Sequence, residues 1–211
     1  MVKRFGKSKD GPISRYLNRY ISIYITKFFL KIHEDISPNT VSIICFLISI
    51  ISGLFFILSL PVIGGILIQL SSIMDGCDGE IARLKNKATK FGGFFDSVLD
   101  RFADGFIFIS IIIYLRYFWE YPEYIDILYI TGIMAVLGSI LISYTAAQAS
   151  NKFNIDFSRT IEGRDVRLFV IMIGGIAAYF WYFSLFITLI YIAIVSNLFV
   201  FIRINNLRKI K

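Results

Sequence analysis

The strongest constraint on the fold is a succession of long apolar segments. They cover residues 39–60, 62–82, 93–118, 127–149, 166–183 and 185–205. Each comes close to the roughly 20 residues that an α-helix needs to cross the hydrocarbon core of a bilayer. Hydrophobic residues make up 56% of the chain, whereas a soluble domain normally stays near half apolar. The sequence therefore predicts an all-α integral membrane protein with six transmembrane helices.

The domain organisation predicted from these segments is simple, because they account for most of the 211 residues. Residues 39–205 are expected to form one transmembrane domain. Residues 1–38 precede it as a cytoplasmic segment, and residues 206–211 follow it as a basic cytoplasmic tail. The first ten residues are polar and no apolar core with a cleavage site follows them, so we expect no cleavable signal peptide.

Residues 11–29 have the pattern of an amphipathic helix. Apolar residues recur at helical spacing on one face: Ile13, Leu17, Ile21, Tyr24 and Phe28. Polar residues lie on the other face: Ser14, Arg15, Asn18, Arg19 and Ser22. Such a helix lies in the membrane interface rather than crossing it. We interpret it as a cytoplasmic membrane anchor that precedes the first span, which Ser37 and Pro38 are placed to begin.

The distribution of basic residues predicts the orientation of the spans. Among the 22 lysines and arginines, only Arg116 lies towards the side opposite the two termini. Cytoplasmic loops of membrane proteins carry this excess of Lys and Arg, so both termini should be cytoplasmic and the protein should lie in the cell membrane. The net charge of +7 is then explained by topology and contact with lipid headgroups, and we expect no nucleic-acid partner.

Two pairs of aspartates interrupt the second and third apolar segments. Asp75 and Asp78 are three residues apart, and Asp96 and Asp100 are four apart, so each pair lies on one face of a helix. A short connection, roughly residues 84–91, is expected to join the two helices as an antiparallel pair, which brings the four carboxylates together. Because these anions repel one another, we predict that they bind a divalent cation that prefers oxygen ligands, namely Mg²⁺, Mn²⁺ or Ca²⁺.

Other interpretations of the acidic stretch remain open. The carboxylates could be wet helix-end groups paired with Arg83 and Arg101, although four acids at helical spacing favour a metal. Glu80 and Asp104 lie in the same stretch without an assigned role. Glycines recur beside the acids, where a ligand must approach closely, and Arg83 can contact phosphate oxygens. Two cations, a groove of small residues and an arginine predict a site for a pyrophosphate group.

These residues form a recognisable pattern: Asp75-x-x-Asp78-Gly79-x-x-Ala82-Arg83, eight residues, then Gly92-x-x-x-Asp96-x-x-x-Asp100. The pattern resembles the signature of the CDP-alcohol phosphotransferases at every fixed position. The resemblance implies transfer of a phosphate-linked alcohol from a CDP-alcohol to an acceptor hydroxyl, with release of CMP. It implies two Mg²⁺ or Mn²⁺ ions held by the four aspartates, with Asp100 also the general base. It further implies that Gly79, Ala82, Arg83 and Gly92 contact the CDP end of the donor.

Basic residues before the fifth apolar segment are candidates for binding the acceptor. They are Lys152, Arg159, Arg164 and Arg167. Arg164 and Arg167 are three apart and can share a helix face. The excess of basic residues on the cytoplasmic side would explain all four without a ligand. Relatives that use inositol phosphate carry arginines near this place, so the resemblance favours a pocket for an acceptor phosphate.

The identity of the two alcohols is the least determined part of the prediction. The segments KSKDGPISRYLNRYIS and MDGCDGEIARLK are most similar to the archaeal di-myo-inositol phosphate phosphate synthase branch. That branch implies CDP-inositol as donor and inositol 1-phosphate as acceptor. The competing prediction is a phospholipid synthase that uses CDP-archaeol or CDP-diacylglycerol. The family also implies a homodimer.

Two further classes of membrane protein fit the acids less well. A membrane prenyltransferase also uses Asp-rich motifs and Mg²⁺, but it usually has more spans and lacks the Gly-x-x-Ala-Arg element. A divalent-cation transporter would line a path across the bilayer with carboxylates, whereas these acids cluster at one end of their helices. Release of CMP from a CDP-alcohol would separate the predicted enzyme from both classes.

Overall fold

The computed structural model of the protein describes residues 10–158 and 160–209, and these residues contain helices and no strand. The α-helices are α1 (Arg19–Ile32), α2 (Pro38–Ile57), α3 (Pro61–Leu84), α4 (Lys90–Phe118), α5 (Ile125–Phe153), α6 (Arg164–Ala177) and α7 (Phe183–Arg208). A π-helical turn, Ser14–Asn18, leads directly into α1, and a 3₁₀ turn, Pro122–Tyr124, leads into α5. The all-α prediction is confirmed for the described residues.

Each predicted apolar segment forms one helix, α2 to α7, and most ends differ from the prediction by a few residues. The largest difference is at the fifth segment, where α6 ends at Ala177 although the apolar run continues to residue 183. With 14 residues, α6 is about 21 Å long at 1.5 Å per residue. Helix α6 by itself is therefore shorter than the roughly 30 Å thickness of a hydrocarbon core.

Among the residues that the structure describes, three helical segments are long and apolar enough to cross a membrane, judged by length and composition: Pro38–Ile57, Pro122–Phe153 and Phe183–Arg208. Helices α3 and α4 carry the acidic residues near one end, and α6 is short. The described residues are thus all-helical and include helices that could cross a membrane. This agrees with the predicted class of fold, an all-α membrane protein.

Local signals determine where the site helices begin and end. Thr89 caps α4, since its hydroxyl accepts a hydrogen bond of 2.9 Å from the Gly92 amide. Pro38 occupies the first turn of α2, and Ser37 is its N-cap residue, although the Ser37 side chain makes no capping hydrogen bond. Asn154 ends α5 in the left-handed conformation, with φ of 52°. Because α4 begins at Lys90, Asp96 lies in its second turn.

Helix α2 packs extensively against both α3 and α4, and α3 also packs against α6. Within the described part of the chain, α3 and α4 are not an extensively packed pair, so the predicted antiparallel pair is wrong in this respect. The apolar core explains the arrangement, because Phe56 of α2 is buried with Ile68 of α3 and Ile107 of α4. The acids of α3 and α4 still converge, beyond the polar end of this core.

Helix α1 packs its polar face inward, against α3. Asn18 is 3% exposed and Thr26 is fully buried, whereas Tyr24 and Phe28 on the apolar face are 72% and 60% exposed. A helix that merely floated on a membrane would leave its polar face in water. The contact with α3 gives this face protein partners instead, and the apolar face remains exposed.

Candidate active site

Three of the predicted acids come together where α3 and α4 converge. One carboxylate oxygen from each of Asp75, Asp96 and Asp100 lies within 4.8 Å of those of the other two. Asp75 comes from α3, and Asp96 and Asp100 come from successive turns of α4. All three side chains are partly exposed. Three hard oxygen ligands at this spacing fit a divalent cation such as Mg²⁺ or Mn²⁺.

Asp78, the fourth predicted ligand, lies in the wall of the same cavity but outside this close group. Its Oδ2 accepts a hydrogen bond of 2.6 Å from the Ser42 hydroxyl of α2, and its Oδ1 contacts the Gly79 amide. Asp78 is therefore held by α2 and by its own helix. The carboxylates that lie close enough to share one ion are therefore those of Asp75, Asp96 and Asp100, and Asp78 is not among them.

The residues predicted to contact the CDP end of the donor lie beside the acids. Gly79, Ala82 and Arg83 occupy the last turns of α3, and Gly92 lies in the first turn of α4. None of the four lines the cavity described below. A Cβ atom added at Gly92 would lie 3.1 Å from Asn39 Oδ1 and from Thr89 Oγ1, so the helix junction already leaves little room at this glycine.

A cavity of about 380 Å³ connects the acids to the basic residues of α6. Its lining comes from the N-terminal helical segment (residues 10–22), α3, α4, α5, the segment before α6, α6 itself and α7. The acids Asp75, Asp96 and Asp100 and the basic residues Arg164 and Arg167 all belong to this lining. The volume falls in the range of small-molecule sites.

Arg164 bridges several acids at once. Its Nη1 lies 2.9 Å from Asp100 Oδ1 and 3.3 Å from Asp75 Oδ1, and its Nε lies 2.9 Å from Asp104 Oδ1. Arg167 Nη2 lies 3.1 Å from Asp104 Oδ2. A guanidinium between carboxylates lowers their mutual repulsion. Arg164 and Arg167 thus line the cavity, and they are also counter-charges of the acids.

The structure does not bring Lys152, a third predicted acceptor residue, to the cavity. Lys152 is exposed near the end of α5 and does not line the cavity. Arg159 lies outside the described residues. Arg203 of α7 does line the cavity, and its Nη2 lies 3.1 Å from Glu162 Oε1; sequence reasoning did not find this arginine because it lies in the last apolar segment.

Asp104 is the main site residue that the sequence left without a role. It is 3% exposed and accepts hydrogen bonds from Arg164, Arg167 and the Ser139 hydroxyl at 2.9, 3.1 and 3.0 Å. A buried carboxylate requires such partners. The signal was present in the sequence, since Asp104 follows Asp100 by one helical turn and therefore shares its face.

The family model for CDP-alcohol phosphatidyltransferases matches residues 35–204 of this chain. The match spans most of the sequence and includes α2 to α6 entirely, together with the three clustered acids. The chain belongs to the CDP-alcohol phosphatidyltransferase family.

Curated relatives place the chain near enzymes named for inositol phosphate products. It is 41% identical over 177 residues to the bifunctional IPC transferase and DIPP synthase of Archaeoglobus fulgidus, which covers 79% of this chain but 32% of that protein. The chain thus spans about a third of the length of that relative. It is 30% identical over 141 residues to the archaetidylinositol phosphate synthase of Pyrococcus horikoshii, covering 67% of this chain and 70% of that one.

Solved structures support the fold. The phosphatidylinositol phosphate synthase of Mycobacterium tuberculosis with CDP-DAG bound aligns with a TM-score of 0.74 at 21% identity, over 88% of this chain and 92% of that chain. The same protein has been solved in complex with manganese and citrate, with a TM-score of 0.72. Helix order and arrangement are therefore shared with a family member of similar length.

Proposed function

We propose that this protein transfers a phosphate-linked alcohol from a CDP-alcohol to a hydroxyl of an inositol phosphate and releases CMP. The observation that carries the proposal is one cavity lined by Asp75, Asp96 and Asp100 together with Arg164 and Arg167. Carboxylates suit a metal-bound pyrophosphate, and arginines suit an acceptor phosphate. Family membership supplies the reaction class, and the relatives named above supply the choice of acceptor.

In the proposed mechanism, Asp75, Asp78, Asp96 and Asp100 would hold two Mg²⁺ or Mn²⁺ ions. Bound there, such ions would supply positive charge against the pyrophosphate and the CMP leaving group. The four aspartates offer only oxygen ligands, and carboxylate oxygens of three of them, Asp75, Asp96 and Asp100, lie within 4.8 Å of one another. Both features fit such ions. The manganese-containing structure of the mycobacterial relative supports this choice of metal.

The remaining steps depend on side chains of the protein. Asp100 accepts the proton of the attacking hydroxyl, because a neutral alcohol is a poor nucleophile. Arg83 binds phosphate oxygens of the CDP moiety, while Gly79, Ala82 and Gly92 leave room for it. Such a transfer depends mainly on positioning and on electrostatic stabilisation.

The acceptor phosphate is proposed to bind Arg164 and Arg167 in the first turn of α6. Asp104 holds both guanidinium groups from the interior. A guanidinium fixed by a carboxylate on one side can still donate hydrogen bonds to a phosphate on the other, since it carries five N–H groups. The acceptor hydroxyl would then lie near Asp100, whose Oδ1 is 2.9 Å from Arg164 Nη1.

Two donors are compatible with this site. The A. fulgidus relative favours CDP-inositol, which would give di-myo-inositol phosphate phosphate with inositol 1-phosphate as acceptor. The P. horikoshii relative, of which this chain covers a larger share, favours a lipid donor such as CDP-archaeol or CDP-diacylglycerol. We propose CDP-inositol first because the sequence identity to the former relative is higher.

The deciding experiment supplies the purified protein with each donor in turn. Inositol 1-phosphate is the test acceptor, and serine and glycerol phosphate are the controls. Mass spectrometry identifies the product, and CMP is measured in parallel. We expect CMP and a product of CDP-inositol plus inositol 1-phosphate. A lipid product with CDP-archaeol alone would replace the proposed donor, and no CMP with any pair would contradict the reaction class.

We further infer that α2 to α7 all cross the membrane, with α1 along the cytoplasmic surface and both termini in the cytoplasm. In this arrangement residues 39–205 form the catalytic domain, between the segments 1–38 and 206–211. The excess of basic residues at one end of the helices and the outward apolar face of α1 support it. Contact with membrane lipids follows, and the homodimer expected from the family stays a prediction.

Removal of divalent metal is expected to abolish activity. The clustered carboxylates repel one another without cations, and the pyrophosphate then has no counter-charge. Turnover should disappear in EDTA and return when excess Mg²⁺ or Mn²⁺ is added, measured as CMP release. Treatment with the calcium-selective chelator EGTA in the presence of Mg²⁺ is the control. Full turnover in chelated protein would contradict metal dependence.

The orientation can be measured by labelling introduced cysteines in intact cells. Lys209→Cys should react only with reagents that reach the cytoplasm, and Tyr121→Cys should react with reagents that cannot cross the membrane. The native Cys45 and Cys77 are buried, so the unsubstituted protein serves as a low background. Labelling of both positions from the same side would contradict the three proposed spans between them, α5, α6 and α7, and with them the proposed topology.

A further inference from the structure

The N-terminal helical segment makes a buried ionic contact with α3 beside the acid cluster. Glu80 of α3 is fully buried. Its Oε1 accepts hydrogen bonds from Arg19 Nη1 at 2.7 Å and from the Ser22 hydroxyl at 2.6 Å, and its Oε2 accepts one from the Thr26 hydroxyl at 2.7 Å. A carboxylate buried in this way is stable only with such compensation. The polar face of α1 provides all of these donors.

Arg19 also contacts the α3 backbone directly beside Asp75. Its Nη1 also donates to the Gly76 carbonyl at 3.2 Å, and its Nε and Nη2 donate to the Asp10 carboxylate at 2.9 and 3.1 Å. Burial alone would lower the pKa of Arg19, but Asp10 and Glu80 raise this pKa above its ordinary value. The guanidinium therefore stays charged.

Gly76 is the point at which this contact reaches the site, because it directly follows Asp75. A Cβ atom at position 76 would lie 2.7 Å from Arg19 Nη1. The absence of a side chain at Gly76 therefore admits the guanidinium of Arg19 against the backbone of α3. The sequence predicts that glycines beside the acids leave space for a ligand. At Gly76 the structure fills that space with the Arg19 guanidinium.

The same N-terminal segment also contacts α6. The Ser14 amide donates a hydrogen bond of 2.8 Å to Asp165 Oδ2, and a Cβ atom at Gly11 would lie 2.2 Å from Asp165 Oδ1. Asp165 directly follows Arg164, whose Nη1 is 3.3 Å from Asp75 Oδ1. The segment from Asp10 to Ser22 thus touches the neighbour of Asp75 on α3 and the neighbour of Arg164 on α6.

We propose that this segment is a positioning element of the active site, and that Arg19 and Glu80 are its positioning residues. The proposal rests on the proposed function, since it assigns these residues to the placement of Asp75 and Arg164. A membrane anchor alone would require only the apolar face of α1. The buried ion pair, the glycine that accommodates Arg19 and the second contact at Asp165 go beyond that requirement.

The test separates placement of the acids from stability of the fold. Arg19→Gln leaves Glu80 buried without its cation, so it should lower both thermal stability and function. The double variant Arg19→Gln/Glu80→Gln removes both charges of this pair, so Glu80 is no longer a buried carboxylate without its cation and part of the lost thermal stability should return. It does not restore the arginine contacts to Gly76 and Asp10. Lys27→Gln, an exposed change on the same helix, is the matched control.

Two readouts are made on the protein in detergent or nanodiscs, well below its melting temperature. One is the Kd for Mn²⁺ measured by electron paramagnetic resonance, and the other is kcat from CMP release. Residues that orient metal ligands typically contribute about tenfold to a hundredfold to metal affinity or activity. We therefore expect the double variant to melt closer to the wild type than Arg19→Gln does, while its Mn²⁺ affinity or kcat falls by about tenfold or more. Lys27→Gln should match the wild type in all measurements.

The outcomes distinguish this inference from the proposed function. A double variant with wild-type melting, wild-type Mn²⁺ affinity and wild-type kcat would overturn the positioning role and leave α1 as a structural anchor. If the double variant remains unstable, Arg19→Lys provides an independent check, because lysine keeps the charge but loses the forked geometry. The Mn²⁺ affinity or kcat of Arg19→Lys should also fall. Unchanged values in that variant would overturn the inference. A wild-type protein that neither binds Mn²⁺ nor releases CMP would overturn the proposed function and this inference with it.

Discussion

Asp100→Asn is expected to lower kcat by about 10²–10⁴-fold, the usual contribution of general-base catalysis. The amide keeps the shape of the side chain, and its oxygen can still accept from Arg164, which lies 2.9 Å from Asp100 Oδ1. The amide cannot accept the proton of the attacking hydroxyl, so the alcohol would have to attack while neutral. The KM for the CDP-alcohol should change much less, provided that the other carboxylates hold the metal.

The matched variants for this prediction are Asp75→Asn and Asp96→Asn, measured in the same assay together with the Kd for Mn²⁺. These two changes should weaken Mn²⁺ and donor binding as well as lowering kcat. The close grouping of Asp100 with Asp75 and Asp96 makes the comparison necessary. If Asp100→Asn lost Mn²⁺ and donor binding as severely as they do, Asp100 would be first a metal ligand, and the base would have to be another group.

Arg164→Ala should raise the KM for the acceptor by about tenfold to a hundredfold, because a hydrogen bond to a charged group contributes about 1.5–3 kcal/mol. The KM for the CDP-alcohol should rise less. Arg164→Lys should give an intermediate value, since lysine keeps the charge but not the forked geometry that matches a phosphate. Initial rates at varied acceptor and fixed donor concentrations provide both constants.

Lys152→Ala is the control for Arg164→Ala, because Lys152 is exposed and does not line the cavity. Its acceptor KM should equal that of the wild type. An unchanged acceptor KM in Arg164→Ala would mean that Arg164 is only a counter-charge of the acids. In that case the Kd for Mn²⁺ should change instead, since Arg164 contacts Asp75 and Asp100 directly.

The contacts of Asp104 explain why the two basic residues of α6 can serve an acidic site. Asp104 is a buried carboxylate that holds both Arg164 and Arg167, so Arg164 does not pair solely with Asp75 and Asp100, which are proposed to bind metal. The guanidinium groups are then fixed by a partner that is not itself proposed to bind metal. Arginine in such a forked geometry is well suited to a phosphate that must be placed beside a metal site.

Much of this protein was determined by local features of the sequence. The apolar segments predicted α2 to α7, and Pro38 marked the start of α2. Helical spacing placed Asp96 and Asp100 on one face of α4, as it did Asp75 and Asp78 on α3. These features depend on residues within a few positions of one another, so helix geometry alone is enough to predict them.

Tertiary structure alone decided which helix faces meet. It placed α2 between α3 and α4, and it turned the polar face of α1 towards Glu80 rather than outward. Arg19 and Glu80 are 61 residues apart, and Arg164 and Asp104 are 60 apart. No periodicity within a helix relates positions at such separations. Their pairing results from the burial of charge, which requires each carboxylate removed from water to find a partner among the faces that packing brings near.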